Sequence, residues 1–432
     1  MTEIRTGVIG AGYVGLTTAV CLAERGHHTV CVDVDAHRLE QLRHGVALLD
    51  EPGMPELLRQ GLDSGKLEFT DDYEELADRD AVFVCVPTPS GADGSADLSV
   101  VDSVVARLVS VLLPGTVLVL KSTVPVGTTR RVSQRLAPAG IRAVSNPEFL
   151  RESHAVYDFR NPDRVVIGSD DADAADLLDR IYGGVAQTFR MSPESAELAK
   201  YASNAFLAVK ISYANSLARL CSRVGADVAD VTRSMGADVR IGAHFLQPGP
   251  GWGGSCLPKD TAAILHTSRQ AGVELPEVQA ARCTNDSQAE RIASTLARAV
   301  GTPLSRARIT ALGLTFKSGT SDLRDSPAVR ICAELGRSGA QVTGYDPRLD
   351  TLDGTRLRDA AIVAVDDPYL AAKEADAIVV LTEWPQFREL DWALIAEQAP
   401  GAVVLDTRNL LDATTLADTT LTYLGNGTPS GY

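Results

Sequence analysis

The chain has 432 residues and a formal net charge of -15, and hydrophobic residues make up 45% of it. A chain of this length is longer than one hydrophobic core usually accommodates, so two or three domains are expected in a globular protein. The chain is acidic overall and has no run of basic residues, which argues against a nucleic-acid partner. No apolar stretch reaches the roughly 20 residues that a membrane span needs.

Cysteine usage distinguishes one thiol from the rest. Seven cysteines without paired spacing predict no disulfide framework, and the chain start does not resemble a secretory signal. Both features indicate the reducing cytoplasm. Six thiols lie in apolar or helical segments and are expected to act as small hydrophobes; they are Cys21, Cys31, Cys85, Cys221, Cys283 and Cys332.

The first 35 residues predict a strand, a glycine turn at Gly10–Gly15, a helix and a second strand that ends on Asp33. Glycines at these spacings let the backbone approach a pyrophosphate at a helix N-terminus. Asp33, roughly 20 residues further on, suits the ribose hydroxyls and repels a 2′-phosphate, which favours NAD over NADP. Arg38 is a nearby cation that could tolerate such a phosphate.

Further strands are predicted at Ala81–Val86, Val117–Leu120 and Arg142–Val144, alternating with helices as in a parallel, doubly wound sheet. Ligands bind such sheets beyond the carboxyl ends of the strands, where Thr88 and Thr123 follow two of them. Ordinary turn residues are the alternative interpretation of both threonines.

Asn146-Pro147-Glu148 is predicted to open a helix, with asparagine as its N-cap and proline at its first position. Glu148 and Glu152 would then lie one turn apart on a common face. They are either functional carboxylates or ordinary acids that the helix dipole favours.

From Pro193 to Val224 the sequence predicts one long helix, and helices continue to about Val300. Lys200 and Asn204 lie four residues apart on the long helix, among apolar neighbours. A buried ammonium beside an amide suits a developing oxyanion.

The segment Gly249–Asp260 is the richest in chemical groups. Its glycines form a loop that a ligand can approach closely, and Pro258 suits the first turn of a helix. Cys256 therefore lies near a helix N-terminus, with Lys259 adjacent, which favours the nucleophilic thiolate. Asp260 is one helical turn away.

Strand–helix alternation then returns, and the tail from Thr419 is expected to be polar and weakly ordered. The second set of predicted strands comprises Ile309–Leu312, Gln341–Tyr345, Ala377–Leu381 and Val403–Leu405. The second of these ends at Asp346, as the early strand ends at Asp33. The predicted class is α/β, with two Rossmann-like doubly wound domains, 1–190 and 301–432, joined by a central helical region, 191–300.

In this order the motifs resemble those of the UDP-glucose/GDP-mannose dehydrogenase family over nearly the whole length. The matching segments are Gly10–Gly15, Ser122–Gly127, Asn146–Glu152, Lys200–Lys210, Gly249–Asp260, Gly313–Ser326 and Asp406–Asn409. The resemblance implies an NAD-binding domain, a central dimerisation region and a nucleotide-sugar-binding domain. It also implies a four-electron oxidation of a sugar C6 hydroxyl, foremost in UDP-glucose to give UDP-glucuronate. dTDP-glucose and GDP-mannose are the alternatives.

The resemblance also assigns roles to single residues. Cys256 is the nucleophile, Lys200 and Asn204 stabilise oxyanions, Asp260 and Thr123 activate a water-linked base, and Glu152 assists hydrolysis. The implied cofactor contacts are Gly10, Gly12, Tyr13, Val14, Gly15, Asp33, Arg38, Thr88, Ser122, Thr123, Glu152 and Arg324. The implied substrate contacts are Glu148, Phe149, Leu150, Lys200, Asn204, Arg240, Phe245, Leu246, Gly253, Phe316, Lys317 and Arg408. Arg240 matches an arginine that reaches the partner subunit's site, which implies a homodimer.

Rival interpretations fit less well. A hydroxy-acid dehydrogenase would need neither Cys256 nor a second α/β domain, and a non-catalytic nucleotide-sugar-binding protein would have no need of that thiol. Seven scattered histidines lack ligand spacing, so no metal is expected. Ser153 stands where many family members have glycine, and Trp252 where phenylalanine or tyrosine is frequent. Lys259 argues against the branch that oxidises N-acetylmannosamine nucleotides.

Overall fold

The computed structural model describes residues 4–432, so the first three residues of the predicted domain 1–190 lie outside the described range. The chain divides into two compact units. The first comprises Met1–Ser203 and Ala262–Val273, and the second comprises Asn204–Thr261 and Glu274–Tyr432.

An eight-stranded sheet of order β3-β2-β1-β4-β5-β6-β7-β8 forms the centre of the first unit, and only the pairing of β6 with β7 is antiparallel. Its strands are Arg5–Ile9 (β1), His28–Val32 (β2), Leu67–Thr70 (β3), Ala81–Val84 (β4), Val117–Leu120 (β5), Arg142–Ser145 (β6), Val165–Gly168 (β7) and Thr188–Met191 (β8). Its α-helices are Tyr13–Glu24 (α1), Ala36–Arg43 (α2), Met54–Asp63 (α3), Ser99–Leu108 (α4), Thr128–Leu136 (α5), Ala155–Arg160 (α6) and Ala172–Tyr182 (α7).

Apolar side chains cover both faces of this sheet. Val8, Phe83 and Val119 point into one buried cluster, whereas Val82 and Leu118 point into another on the opposite face. Strands that are apolar on both faces are typical of parallel sheets with helices on both sides. The carboxyl ends of the strands are left for ligands.

Helices alone follow up to Ala299. They are Pro193–Val224 (α8), Val228–Gly236 (α9), Leu257–Gln270 (α10), Pro276–Asp286 (α11) and Gln288–Ala299 (α12). The predicted long helix is confirmed at both of its ends. Pro258 lies in the first turn of α10, as the sequence predicts, because proline supplies no N–H where a helix needs none.

A six-stranded, wholly parallel sheet of order β11-β10-β9-β12-β13-β14 forms the core of the second unit. Its strands are Arg308–Leu312 (β9), Gln341–Tyr345 (β10), Ile362–Ala364 (β11), Ala377–Val380 (β12), Val403–Asp406 (β13) and Thr422–Gly425 (β14). Its helices are Pro327–Arg337 (α13), Gly354–Asp359 (α14), Pro368–Ala371 (α15) and Trp392–Gln398 (α16). Short 3₁₀ helices elsewhere are Tyr73–Leu76, Ala137–Ala139, Leu304–Arg306, Leu349–Thr351, Pro385–Arg388 and Ala413–Leu416.

The expectation of a weakly ordered tail was wrong. Thr422–Gly425 adds a parallel strand beside β13, with Thr422 opposite Val403. The polar composition misled because an edge strand buries only part of its surface and relies on backbone pairing. The predicted class is otherwise confirmed, since two Rossmann-like sheets flank a helical stretch.

Candidate active site

The turn after β1 has the geometry of a dinucleotide-binding loop. Gly10 has φ 93°, and its N–H donates to the Val32 carbonyl at 2.8 Å. A Cβ on Gly15 would lie 1.7 Å from the Gly10 carbonyl oxygen, whereas one on Gly12 would meet nothing within 4 Å in the described chain. Helix α1 begins at Tyr13, and no side chain of residues 4–432 caps it. Its first N–H groups are therefore available to a pyrophosphate.

Asp33 follows β2 and is buried. Its Oδ2 accepts from the Ala11 N–H at 2.6 Å, and its Oδ1 accepts from the Asp35 N–H at 2.9 Å. Arg38 Nη1 lies 3.0 Å from Asp33 Oδ2. This guanidinium is paired with the carboxylate, so it offers less to a 2′-phosphate, and the arrangement favours NAD.

Two hydroxyls at the carboxyl ends of the strands hold the loops, and a third lies at the start of α1. Thr88 Oγ1 donates to the Thr123 carbonyl at 2.8 Å, and Ser122 Oγ donates to a carbonyl of the loop after β4 at 2.7 Å. At the start of α1, the Tyr13 hydroxyl donates to Glu51 at 2.5 Å, while Val14 packs against the core. Burial and the Glu51 carboxylate raise the pKa of the tyrosine hydroxyl.

The predicted helix opening at Asn146 was wrong. The segment that follows β6 is a loop, and α6 begins only at Ala155. Glu148 Oε2 accepts from the Leu150 N–H at 2.6 Å, which closes a local turn that competes with a helix. Glu148 and Glu152 therefore do not share a helix face.

Glu148 instead forms a buried ion pair. Lys200 Nζ donates to Glu148 Oε1 at 2.9 Å, and the two side chains are 4% and 8% exposed. Burial alone would raise the pKa of the Glu148 carboxyl, but Lys200 and the Leu150 N–H outweigh it and lower that pKa. Lys200 Nζ also lies 5.2 Å from the ring centre of Phe149. The ammonium is buried as the sequence predicts, with a carboxylate as its partner.

Asn204, Asp260 and Lys259 form a polar group within the second unit. Asn204 Nδ2 donates to Asp260 Oδ2 at 2.6 Å, and Lys259 Nζ lies 3.0 Å from Asp260 Oδ1. Asp260 is almost fully buried. The carboxylate therefore has one charged and one neutral partner. The backbone N–H of Asp260 donates to the Cys256 carbonyl at 2.8 Å, as expected in the first turn of α10.

Cys256 is exposed and immediately precedes α10. The Ser255 hydroxyl lies 3.5 Å from its sulfur. The glycines before it are needed for close packing, because a Cβ on Gly253 would lie 2.0 Å from the Asp325 carbonyl oxygen. The loop thus presents the thiol at a helix start, the setting that favours a thiolate. Cys283, predicted as structural, is also exposed, on α11.

Buried amide side chains that sequence reasoning missed fix this loop. Asn285 Oδ1 accepts from the Trp252 N–H at 2.8 Å, and its Nδ2 donates to the Trp252 carbonyl at 3.1 Å. Asn215 Oδ1 accepts from the Gly249 N–H at 2.7 Å, and Gln288 Nε2 donates to the Gly249 carbonyl at 3.1 Å. Amide side chains inside helices follow no recognisable spacing, so these contacts could not be predicted from the sequence.

Arg408 lies at a cavity of about 630 Å³ within the second unit. Its Nε donates to the Leu381 carbonyl at 3.0 Å and lies 3.0 Å from Glu383 Oε2. Leu246, another predicted substrate contact, also lines this cavity. A concave surface with a partly buried arginine can bind part of a nucleotide.

The remaining candidates lie apart from this cavity's lining. Arg240 has an 86% exposed side chain paired with Asp238 at 2.6 Å, and Phe245 is exposed with φ 63°. Arg324 pairs with Asp322 at 2.7 Å. The Phe316 ring packs so close to the cysteine loop that a Cβ on Gly254 would lie 2.8 Å from it, and Lys317 Nζ is 5.7 Å from that ring's centre.

Within residues 4–432 no group of histidine, cysteine, aspartate and glutamate side chains is arranged to hold a metal ion. No helix in the same range is both long and apolar enough to cross a bilayer.

An open glycine turn with a buried aspartate, followed by a second α/β sheet with its own cavity, defines an NAD-dependent oxidoreductase that also binds a nucleotide. Family models match the chain in three consecutive stretches. The NAD-binding domain of the UDP-glucose/GDP-mannose dehydrogenase family matches residues 4–186, the central domain matches 194–287, and the UDP-binding domain matches 310–413. The chain belongs to this family, and its cofactor is NAD.

Several relatives match over most of their length. A UDP-glucose 6-dehydrogenase of Rhizobium meliloti is 42% identical, covering 98% of this chain and 99% of the relative. One of Haloferax volcanii is 40% identical, covering 94% and 96%. The solved structure of a UDP-glucose dehydrogenase from Pyrobaculum islandicum superposes with a TM-score of 0.89 at 36% identity, covering 99% of this chain and 98% of that one.

Proposed function

We propose that this chain oxidises UDP-glucose to UDP-glucuronate with NAD, through covalent chemistry at Cys256. The observation that carries the proposal is the placement of this thiol. It is exposed at the start of α10 and follows a glycine loop that buried amides fix. The names of the similar proteins supply the substrate.

In the first oxidation the C6 hydroxyl loses a proton and the C6 carbon loses a hydride, which gives an aldehyde. Lys200 is buried and charged, so it can stabilise the negative charge that develops on the oxygen. Asn204, which already donates to Asp260, is the second proposed oxyanion donor. Gly10–Gly15 and Asp33 would hold NAD, and one NAD molecule for each of the two oxidations would supply the hydride acceptor.

The second oxidation needs the cysteine because an aldehyde has no alcohol-like hydride to give up. The Cys256 thiolate adds to the carbonyl carbon, and the resulting thiohemiacetal loses its hydroxyl proton and a hydride from carbon to become a thioester. Water then attacks the thioester, releasing the carboxylate and restoring the thiol. Asp260 and Thr123 are proposed to activate the water-linked base, and Glu152 to assist hydrolysis.

We further propose domain boundaries at 1–190, 191–300 and 301–432. Most of the proposed NAD contacts lie in the first domain, and the last domain is proposed to bind the nucleotide part of the substrate. Proposed NAD contacts besides the glycine turn are Tyr13, Val14, Asp33, Arg38, Thr88, Ser122, Thr123, Glu152 and Arg324. Proposed substrate contacts are Glu148, Phe149, Leu150, Lys200, Asn204, Arg240, Phe245, Leu246, Gly253, Phe316, Lys317 and Arg408.

A homodimer is proposed from the long helix. Phe206, Tyr213 and Leu220 are more than half exposed and lie seven residues apart on α8, which gives one apolar stripe along the helix. Such a stripe suits the same helix of a second copy. Arg240 is exposed enough to reach a partner's substrate. All seven cysteines are free thiols, which supports the proposal of a cytoplasmic location.

The decisive experiment counts NADH and identifies the product. Wild-type protein with UDP-glucose should yield two NADH per UDP-glucuronate formed, without added metal. Cys256→Ala should form no acid, because its aldehyde cannot become a thioester. A wild-type ratio of one NADH with a released aldehyde would remove the four-electron mechanism.

Cys283→Ala is the matched control, because Cys283 is the other exposed thiol and lies in the same unit. It should keep the wild-type stoichiometry. Acid formation by Cys256→Ala would remove the thiol from the mechanism, and dTDP- and GDP-sugars tested in parallel would reveal a different substrate.

A further inference from the structure

Lys121 is a buried lysine that the proposed mechanism does not use. It directly follows β5 and is only 3% exposed. Its Nζ donates to Asn146 Oδ1 at 3.2 Å and to the Tyr182 hydroxyl at 3.0 Å, and no carboxylate is among its hydrogen-bond partners in the described chain. Removing an ammonium from water costs several kcal/mol unless a charge or strong dipoles compensate.

Neutral groups surround the ammonium closely. Its Nζ lies 5.9 Å from the ring centre of Phe159 and 5.6 Å from that of Tyr182. Aromatic faces and an amide oxygen stabilise a cation partially, but they do not neutralise it. A lysine held here at such cost has a use other than packing.

Asn146 is the residue that this lysine fixes. Its Oδ1 also accepts from the Tyr182 hydroxyl at 2.6 Å, and its Nδ2 donates to the Val166 carbonyl at 2.9 Å. Its N–H donates to the Leu120 carbonyl at 2.9 Å. Asn146 is therefore held on every side, and the loop that carries Glu148 begins from a fixed point.

Glu148 also responds to the charge of Lys121. Lys200 from α8 is its ion-pair partner, and Lys121 is a second cation that favours its ionised form. The Cys85 thiol, after β4, also interacts electrostatically with both Lys121 and Glu148. The carboxylate is thus stabilised by lysines on two different elements.

We propose that Lys121 is a positioning residue of the substrate site: together with Tyr182 it fixes Asn146 and the loop that carries Glu148. The inference rests on the proposed function for the part that Glu148 plays with substrate. It predicts that loss of the Lys121 charge changes the protonation of a carboxylate on another loop.

The direct test is an infrared pH titration of the Glu148 carboxyl, assigned by difference against Glu148→Gln in each background. Lys121→Met removes the charge, whereas Tyr182→Phe removes only hydrogen bonds and keeps the charge. We expect Glu148 to protonate about one pH unit higher in Lys121→Met, and at the wild-type pH in Tyr182→Phe. An unchanged titration in folded Lys121→Met overturns the proposal.

Steady-state kinetics provide the second readout. In the pH profile of kcat with UDP-glucose, the acidic limb should move to higher pH by the same amount in Lys121→Met. At a pH below the limb, kcat should therefore be about tenfold lower than in the wild type. The KM for NAD should stay at the wild-type value. Exposed Lys373→Met, an equal change in net charge, should leave the limb in place, and an equal shift there overturns a specific role for Lys121.

If Lys121→Met does not fold, Lys121→Gln replaces it, because glutamine removes the charge and keeps an N–H donor for Asn146. An unchanged Glu148 titration in folded Lys121→Gln overturns the proposal. The infrared titration needs no substrate, so a wild-type protein inactive on UDP-glucose would refute the proposed function without deciding the role of Lys121.

Discussion

The two Rossmann-like sheets begin with nearly the same turn. Gly10 N–H donates to the Val32 carbonyl at 2.8 Å, and Gly313 N–H donates to the Tyr345 carbonyl at 2.8 Å. In each sheet the residue after the glycine donates to an aspartate that ends the second strand, at 2.6 Å to Asp33 and at 2.7 Å to Asp346. The first half of the two turns is therefore equivalent.

The turns diverge at the next residue. In the first sheet it is Gly12, where a Cβ would meet no described atom within 4 Å, and a helix begins directly after it. In the second sheet it is Thr315, whose N–H and hydroxyl both bind Asp346, and the Trp384 indole N–H also donates to this carboxylate at 3.2 Å. Asp33 is held by backbone N–H groups and by the partly exposed Arg38, whereas Asp346 is also bound by the Thr315 hydroxyl and by Trp384 from outside its turn.

Asp346→Ala should have the largest effect on stability. It leaves buried donors from Leu314, Thr315 and Trp384 without their acceptor, which costs roughly 3 kcal/mol or more of unfolding free energy. Chemical denaturation should show this loss, while the KM for NAD of the folded fraction stays unchanged. A stable Asp346→Ala would mean that the second turn is not closed by its own side chains.

Asp33→Ala is the matched change in the first sheet. We expect a smaller loss of stability, about 1 kcal/mol, because the glycine turn is open to water. NAD binding should weaken by a factor of about 30, as expected for the loss of hydrogen bonds to a charged acceptor. Isothermal titration with NAD measures this. A variant that binds NAD normally would contradict the assignment of the ribose site.

Gly12→Ala tests whether Gly12 is needed for NAD binding and not for folding. The added methyl has room in the protein alone, so the melting temperature should stay within about 1 °C, but it enters the space of a pyrophosphate. The KM for NAD should rise about tenfold, or about 1.4 kcal/mol in binding. Gly301→Ala is the control, since its Cβ also meets nothing within 4 Å, and it should leave the KM unchanged.

The sequence predicted this open turn because its chemistry is local. Glycine spacing, a preceding strand and a helix after it are all visible within the first 35 residues, and the structure has them in place. The closure of the second turn was not predictable, because Trp384 reaches Asp346 from a distant part of the chain. The same holds for Asn285, which clamps the cysteine loop from α11.

The loop after β6 shows a case in which local sequence signals predicted the wrong structure. Local signals for a helix at Asn146-Pro147 are strong, yet the asparagine side chain binds Lys121 and Tyr182 and does not cap a helix. Tertiary hydrogen bonds from two other elements override the local preference. The family pattern gave one hint of a loop, since glycine is frequent where this chain has Ser153.

Ser153→Gly is the smallest predicted effect and tests this loop. Ser153 has φ 65°, a conformation that costs a residue with a side chain about 1 kcal/mol. Glycine avoids this cost but loses more conformational freedom on folding, so the substitution should stabilise the protein by roughly 0.5 kcal/mol. Ala137→Gly is the control at an ordinary φ of -53°, and it should destabilise. If Ser153→Gly is more stable and keeps the NADH rate, the backbone strain at Ser153 has no role in the reaction. If the rate falls, the left-handed conformation of Ser153 is needed to position Glu152. The loop after β6 would then resemble the second turn, whose conformation is held by contacts within the protein.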